Sequence, residues 1–121
     1  MEILALIFVA LVALEHLYFL WLEMFAWETA GKKVFKGALP ENLFTPTKTM
    51  AANQGLYNGF LAAGLIWTFF IQDELWKTNV AVFFLGCVIV AGIYGAYSAD
   101  RKIFYVQSVP AIIALILVLM K

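Results

Sequence analysis

The stretch that decides the fold is Ile3–Trp27, with the sequence ILALIFVALVALEHLYFLWLEMFAW. A helix crosses the hydrocarbon core of a bilayer with about 20 apolar residues, so this run is long enough to span it. Three ionisable residues, Glu15, His16 and Glu23, interrupt its second half. Such side chains are costly at membrane depth, because hydrocarbon offers them no water, and they need partners there. We therefore expect a membrane-spanning helix that contributes to a polar site.

Composition extends this expectation to the whole chain. The 121 residues are 64% hydrophobic and 13% charged, whereas soluble proteins are about 45–50% apolar and about 25% charged. Four runs are long and apolar enough to span, at about residues 3–27, 46–71, 79–98 and 103–120. The prediction is one all-α domain over residues 1–121, a bundle of four transmembrane helices. A net charge of zero argues against a nucleic-acid partner.

Basic residues in the loops predict the orientation, because cytoplasmic loops are enriched in lysine and arginine. The first and third loops contain most of them: Lys32, Lys33, Lys36, Lys48, Arg101 and Lys102. The second loop has Lys77 and the C-terminus has Lys121. The first and third loops are therefore predicted to lie in the cytoplasm, with both termini on the outer side.

Polar residues of the other spans are predicted to join the same site from its cytoplasmic side. On the second span they cover an arc of roughly 140° at 100° per residue, which lipid would not tolerate, so the arc is expected to face the protein. Tyr94 and Gln107 fall in the cytoplasmic halves of the third and fourth spans, and Trp27 extends the stripe from His16 to Glu23. The predicted ligand-binding residues are Trp27, Asn53, Gln54, Tyr57, Asn58, Tyr94 and Gln107. For Tyr94, a place in the aromatic belt at the membrane interface is an equal alternative.

Small residues also repeat every four positions along the second span, at Ala51, Gly55, Gly59 and Ala63. This spacing lets a neighbouring helix approach closely. The pattern fits packing within the bundle, and it also allows a homodimer.

The candidate catalytic residues are Glu15, His16 and Glu23. A carboxyl group held away from water can exchange a proton near neutral pH, and an adjacent imidazole can share that proton. Alternatively, these groups bond one another across helices and only hold the bundle together. A metal ion is a third alternative, but the spacing of the three residues matches no known motif. We expect no metal and no cofactor.

Three strings carry a family resemblance: VALEHLYFLWLEMFAW at residues 12–27, AANQGLYNGFLAAGL at 51–65 and RKIFYVQSVPAIIAL at 101–115. They resemble a family of small bacterial four-helix membrane proteins catalogued as a domain of unknown function. The resemblance implies a multi-pass protein of the inner membrane. It implies no activity.

Two functions fit this pattern best. The first is a cytoplasm-facing intramembrane pocket that binds a small lipophilic molecule. Such a pocket could also transform its ligand by acid–base chemistry, for example isomerisation or hydration at a carbon–carbon double bond. The second is a proton-coupled exporter that works as a dimer, since Glu15 is placed like the essential glutamate of small multidrug exporters. A structural or assembly role in the membrane is a third alternative. Whether the protein is an enzyme stays open at this point.

Overall fold

The computed structural model describes residues 1–120, and this part of the chain consists of helices and turns without a β-strand. The α-helices are α1 (Ile3–Met24), α2 (Ala30–Val34), α3 (Lys48–Thr68), α4 (Glu74–Ser98) and α5 (Val109–Leu119). A 3-10 turn covers Glu41–Leu43, and a π-helical turn covers Phe104–Ser108 directly before α5. The all-α fold predicted from the sequence is confirmed.

Two of these helices, α1 and α4, are long and apolar enough to cross a membrane. Their most apolar windows have a mean hydropathy of 2.4 and 2.2, and only 28% and 22% of those windows is buried inside the protein. Most of the apolar surface of both helices is therefore turned outward. The other two predicted spans differ from them, because α3 carries more polar residues and the apolar segment Phe104–Leu119 is shorter.

Contacts within the chain group its residues into two compact units. The core unit comprises Met1–Leu14 together with Leu61 to the C-terminus. The loop unit comprises Glu15–Phe60 and includes the long connection between α1 and α3. Both α1 and α3 contribute residues to each unit.

One hydrophobic core, supplied by four helices, holds the core unit together. The first half of α1, the second half of α3, and all of α4 and α5 contribute to it. Its fully or almost fully buried residues include Ala5, Val9, Val12, Leu65, Ala81, Leu85, Val88, Ala111, Ala114 and Val118. Each of these four helices thus buries apolar residues on one side, as a bundle requires. The N-terminal ends of α1 and α4 lie together, since the Met1 ammonium group is 2.7 Å from a carboxylate oxygen of Glu74.

The N-terminus of α4 lies earlier than the sequence predicted. The helix begins at Glu74, not at residue 79, because Asp73 caps it: its carboxylate accepts a hydrogen bond of 3.0 Å from the backbone N–H of Trp76. An aspartate at this position satisfies one of the N–H groups that a helix leaves unpaired at its start. The hydropathy run missed this, because Glu74 and Lys77 interrupt the apolar pattern at the start of the helix.

The contact between α4 and the segment leading into α5 is very close. Gly92 packs against Ser108, whose hydroxyl donates a hydrogen bond of 2.9 Å to the carbonyl of Ile89. Within the π-helical turn, the N–H of Val109 bonds to the carbonyl of Phe104, one residue further back than in an α-helix. Pro110 follows at once and has no N–H to donate. The predicted fourth span is therefore a π-helical turn followed by a short α-helix.

Candidate functional site

Most of the predicted site residues lie in the loop unit, on the second half of α1 and the first half of α3. Tyr94 and Gln107 belong to the core unit.

Within the loop unit, small residues on α3 allow α1 to pack closely against it. A Cβ atom on Gly55 would lie 2.7 Å from Cγ of Met24, and one on Gly59 would lie 2.6 Å from Cδ1 of Leu20. Packing within the chain, one of the two predictions for this face, is confirmed at both glycines, whereas Ala63 is exposed.

This close approach brings two predicted site residues into direct contact. The side-chain amide of Asn58 donates a hydrogen bond of 2.6 Å to Oε1 of Glu23. Both side chains are partly buried, so the hydrogen bond is shielded in part from competing water. The pair links α1 to α3 and fixes the direction of the Glu23 carboxylate.

Glu15 and His16 both have buried polar atoms on α1. His16 is fully buried, and its ring meets the ring of Phe19 edge-on at a centroid distance of 5.3 Å. Oε1 of Glu15 is also buried, yet it accepts no hydrogen bond from any residue in the described range 1–120. Nearly all buried polar atoms in proteins are hydrogen-bonded, and an unbonded one is costly. Glu15 therefore has a buried acceptor atom that no residue of the described range uses.

Of the four polar residues on α3 that were predicted to face the protein, one contacts another helix. Asn58 contacts Glu23, but Asn53, Gln54 and Tyr57 are exposed, so the prediction that the whole arc faces the protein was too broad. Because α3 begins at Lys48, Asn53 and Gln54 lie within its first two turns. The sequence pattern alone could not distinguish this position from a buried one.

Trp27 lies in the connection between α1 and α3, and its part in ligand binding stays a prediction. Helix α1 ends at Met24, so Trp27 does not extend the stripe from His16 to Glu23. Its indole N–H donates a hydrogen bond of 3.1 Å to the hydroxyl of Thr47, and its ring packs against Phe35 and Phe44 at centroid distances of 5.5 and 4.9 Å. Trp27 is therefore the centre around which the connection between α1 and α3 folds.

A second polar contact closes this connection at the surface. The hydroxyl of Thr45 donates a hydrogen bond of 2.8 Å to Glu28, and the ammonium group of Lys48 lies 3.4 Å from the same carboxylate. The Thr45 hydrogen bond, followed by the one from Lys48, holds the pKa of Glu28 below its ordinary value. Both contacts favour the charged carboxylate.

We expect Thr45→Val to raise the pKa of Glu28 toward its ordinary value. Because the folded pKa is lowered, the contact stabilises the loop at neutral pH, and this stabilisation is lost as the pH falls through the lowered pKa. Carboxyl NMR titration of the protein in detergent micelles measures the pKa directly. Thr49→Val is the matched control, since Thr49 is exposed on the first turn of α3. An unchanged titration of Glu28 in Thr45→Val would contradict the assignment.

In the core unit, Tyr94 is 68% exposed near the end of α4, and Tyr97 on the same helix is also exposed. Both alternatives for Tyr94, the interfacial belt and the lining of a pocket, stay predictions. Gln107 is partly buried within the π-helical turn.

No group of three or more histidine, cysteine, aspartate or glutamate side chains lies close enough to hold a metal ion within residues 1–120. Glu15, His16 and Glu23 do not form such a set.

The structure also shows a feature that the site prediction missed, a concavity of about 930 Å³ in the connection between α1 and α3. Lys32, Lys33 and Lys36 line it, and the lysine cluster was the sequence signal that could have located it.

Together, these features define a small all-α protein with two apolar helices long enough to cross a membrane and a partly buried carboxyl–amide pair between α1 and α3. The chain belongs to DUF1304, a family described as a protein of unknown function, whose model matches residues 10–119. Among its relatives is the uncharacterized protein YpaA of Lactococcus lactis subsp. lactis (strain IL1403). The two sequences are 35% identical over 119 residues, which cover 96% of this chain and 97% of the relative. No solved structure matches the chain significantly. The resemblance to a family of unknown function is confirmed.

Proposed function

We propose that the protein is a multi-pass protein of the inner membrane and that it binds a small lipophilic molecule at Glu15 and His16. The observation that carries this proposal is the buried, unbonded Oε1 of Glu15. A ligand hydroxyl or amine would satisfy this acceptor, while the surrounding apolar residues of α1 would favour a lipophilic ligand over a charged one.

Four spanning segments are part of the proposal. Helix α3 has 21 residues, which at 1.5 Å per residue give about 31 Å, close to the thickness of the hydrocarbon core. Adding α3 and Phe104–Leu119 to the two apolar helices makes the number of crossings even, so both termini lie on one side. The contact between Met1 and Glu74 supports this arrangement, because it joins the N-terminus to the loop predicted to lie outside.

Reporter tags test this topology. A tag inserted at Gly37 in the first loop should report the cytoplasm, because six of the basic residues lie in the first and third loops. Tags at either terminus should report the outer side. A paired alkaline phosphatase and green fluorescent protein fusion at each position provides the readout. A cytoplasmic signal from the C-terminal fusion would contradict the proposed topology.

The chemistry available at the site is proton exchange. Glu23 is already engaged by Asn58, so Glu15 is the carboxyl with an unused acceptor. An adjacent carboxyl and imidazole are a suitable acid–base pair for a bound apolar substrate. Binding needs only the acceptor, whereas catalysis would also need His16.

A lipophilic carbodiimide, which modifies carboxyl groups accessible from an apolar phase, tests the site. We expect modification of the wild-type protein at Glu15, measured as a mass increase located by peptide mass spectrometry. Glu15→Gln should abolish it, and Glu23→Gln on the same helix should retain it. Modification of Glu23 with Glu15 unmodified would contradict the assignment.

A second experiment looks for a natural ligand that copurifies with the wild type and with Glu15→Gln. The protein is purified in mild detergent, and organic extracts are compared by mass spectrometry. A lipophilic species that is present in the wild type and at least about tenfold depleted in Glu15→Gln, a loss of about 1.4 kcal/mol in binding, would support the proposal. Identical extracts from both proteins would contradict it. Glu2→Gln is the control for the loss of an acidic side chain outside the site.

The packing of α3 argues for a pocket within one chain over a dimeric exporter. Gly55 and Gly59, the residues expected to support a dimer, are already covered by Leu20, Glu23 and Met24 of the same chain. An exporter dimer would need a different surface.

A further inference from the structure

The connection between α1 and α3 folds around a concavity of about 930 Å³, a volume within the range of about 300–1,000 Å³ typical of small-molecule sites. Three lysines line it, Lys32, Lys33 and Lys36, together with Glu28 and Glu41. We propose that this concavity binds the headgroup of an anionic phospholipid. The site is distinct from Glu15 and His16, and it rests on the proposed function only for the presence of the membrane.

The charges of the concavity favour an anionic ligand. Within residues 1–120, neither the ion pair of Met1 with Glu74 nor that of Lys48 with Glu28 includes one of the three lysines, and Lys32 attracts the Glu28 carboxylate without forming an ion pair with it. Glu28 is engaged by Lys48 and by the Thr45 hydroxyl. Of the two glutamates that line the concavity, Glu41 takes part in neither ion pair. An anionic phosphate group would offer the three lysines a close ion-pair partner.

The residues that line the concavity belong to a packed segment of the chain. The lysines are therefore not isolated charges scattered over the surface. Phe44, which is buried, lines the concavity and contacts the Trp27 ring. The chain reverses at Gly37, whose φ of 88° is a conformation that other residues rarely adopt. A backbone bridge between Lys36 and Leu39 closes this turn. The lysine side chains thus extend from a folded segment.

The position of the concavity along the chain matches the headgroup layer. The last turns of α1 carry the exposed aromatic residues Tyr18 and Trp21, and Phe25 follows directly after the helix. Aromatic residues of this kind mark the boundary between hydrocarbon and water. The concavity begins at Glu28, just beyond that boundary, where lipid phosphates lie. Lysines at this depth on the cytoplasmic side attract anionic lipids.

The test measures lipid retention by the full-length protein in detergent, using native mass spectrometry with added phosphatidylglycerol or phosphatidylcholine. We expect the wild type to retain phosphatidylglycerol at about tenfold lower lipid concentration than phosphatidylcholine, given the contribution expected of three lysines after screening by salt. The variant Lys32→Gln/Lys33→Gln/Lys36→Gln should lose this preference. The variant Lys77→Gln/Arg101→Gln/Lys102→Gln removes the same charge elsewhere and should keep it.

Three results would overturn the proposal. The first is equal retention of both lipids by the wild type. The second is an equal loss of preference in both triple variants, since net charge and not the concavity would then be responsible. The third is displacement of phosphatidylglycerol by inorganic phosphate at similar concentration, because the site would then take a free anion.

The membrane location is checked separately by extraction of membranes with alkaline carbonate. A protein that resists extraction but shows no lipid preference overturns the headgroup site alone. A protein that is released by carbonate overturns the membrane proposal itself. Circular dichroism of each variant confirms that its helix content is unchanged, so a loss of preference is not a loss of fold.

Discussion

Replacing Gly92 by alanine is expected to destabilise the protein by about 1–3 kcal/mol, the usual cost of overpacking a tight contact. A Cβ atom at this position would lie 3.0 Å from the backbone nitrogen of Ser108 and 3.1 Å from its Cβ, and closer still to its hydroxyl oxygen. Ser108 cannot move aside without stretching its hydrogen bond to Ile89. Unfolding in mixed detergent micelles, followed by circular dichroism, measures the change in the free energy of unfolding.

Gly86→Ala is the matched control on the same helix. A Cβ atom on Gly86 would meet no atom within 4 Å, so this substitution should be neutral or stabilise α4 by up to about 1 kcal/mol through the higher helix propensity of alanine. If both variants unfold at the same detergent fraction, the close contact between α4 and Ser108 does not contribute to stability as the structure implies.

Breaking the pair of Glu23 and Asn58 is the second large effect expected. Asn58→Leu removes the donor and leaves the partly buried carboxyl group of Glu23 without its hydrogen bond, at a cost of about 1–3 kcal/mol in the free energy of unfolding. Glu23→Leu should lower the free energy of unfolding by a similar amount, because it leaves the side-chain amide of Asn58 without its acceptor. The double variant should be nearly as stable as the wild type, since two apolar side chains can pack where the polar pair stood.

The same unfolding measurements, combined as a double-mutant cycle, give the coupling energy between the two residues. The contact is supported if the double variant is destabilised less than the sum of the two single variants. Additive effects of the two substitutions would mean that the amide and the carboxylate do not interact. The variant Gln54→Leu, on the exposed side of α3, controls for the loss of an amide from this helix.

The sequence predicted the helical class and the approximate position of every long helix, because hydrophobic run length in a 64% apolar chain leaves few other choices. It was less accurate at the helix ends. The start of α4 at Glu74 depends on the capping side chain of Asp73, and the end of α1 at Met24 lies inside a continuous apolar run. Apolar runs report burial or lipid contact, whereas helix ends depend on single hydrogen bonds.

The candidate site was predictable in part. Periodicity placed Glu23 and the amides of α3 in one region, and the pairing with Asn58 follows from the small residues Gly55 and Gly59, which let the helices approach. Periodicity could not show that Trp27 lies beyond α1, nor that the lysine-rich connection folds around a concavity. Both depend on aromatic contacts between residues far apart in the sequence, such as Trp27 with Phe44.

The π-helical turn at Phe104–Ser108 also determines how this segment tolerates changes in chain length. A turn closed by the bond from Val109 to Phe104 contains one residue more than an α-helical turn of 3.6 residues per turn requires. This extra residue lets Ile103 reach Gly95 and Ser108 reach Gly92 without a break in the helix. An exposed position such as Val106 is therefore where a one-residue deletion among homologous sequences would be absorbed, with α5 keeping its face toward α4.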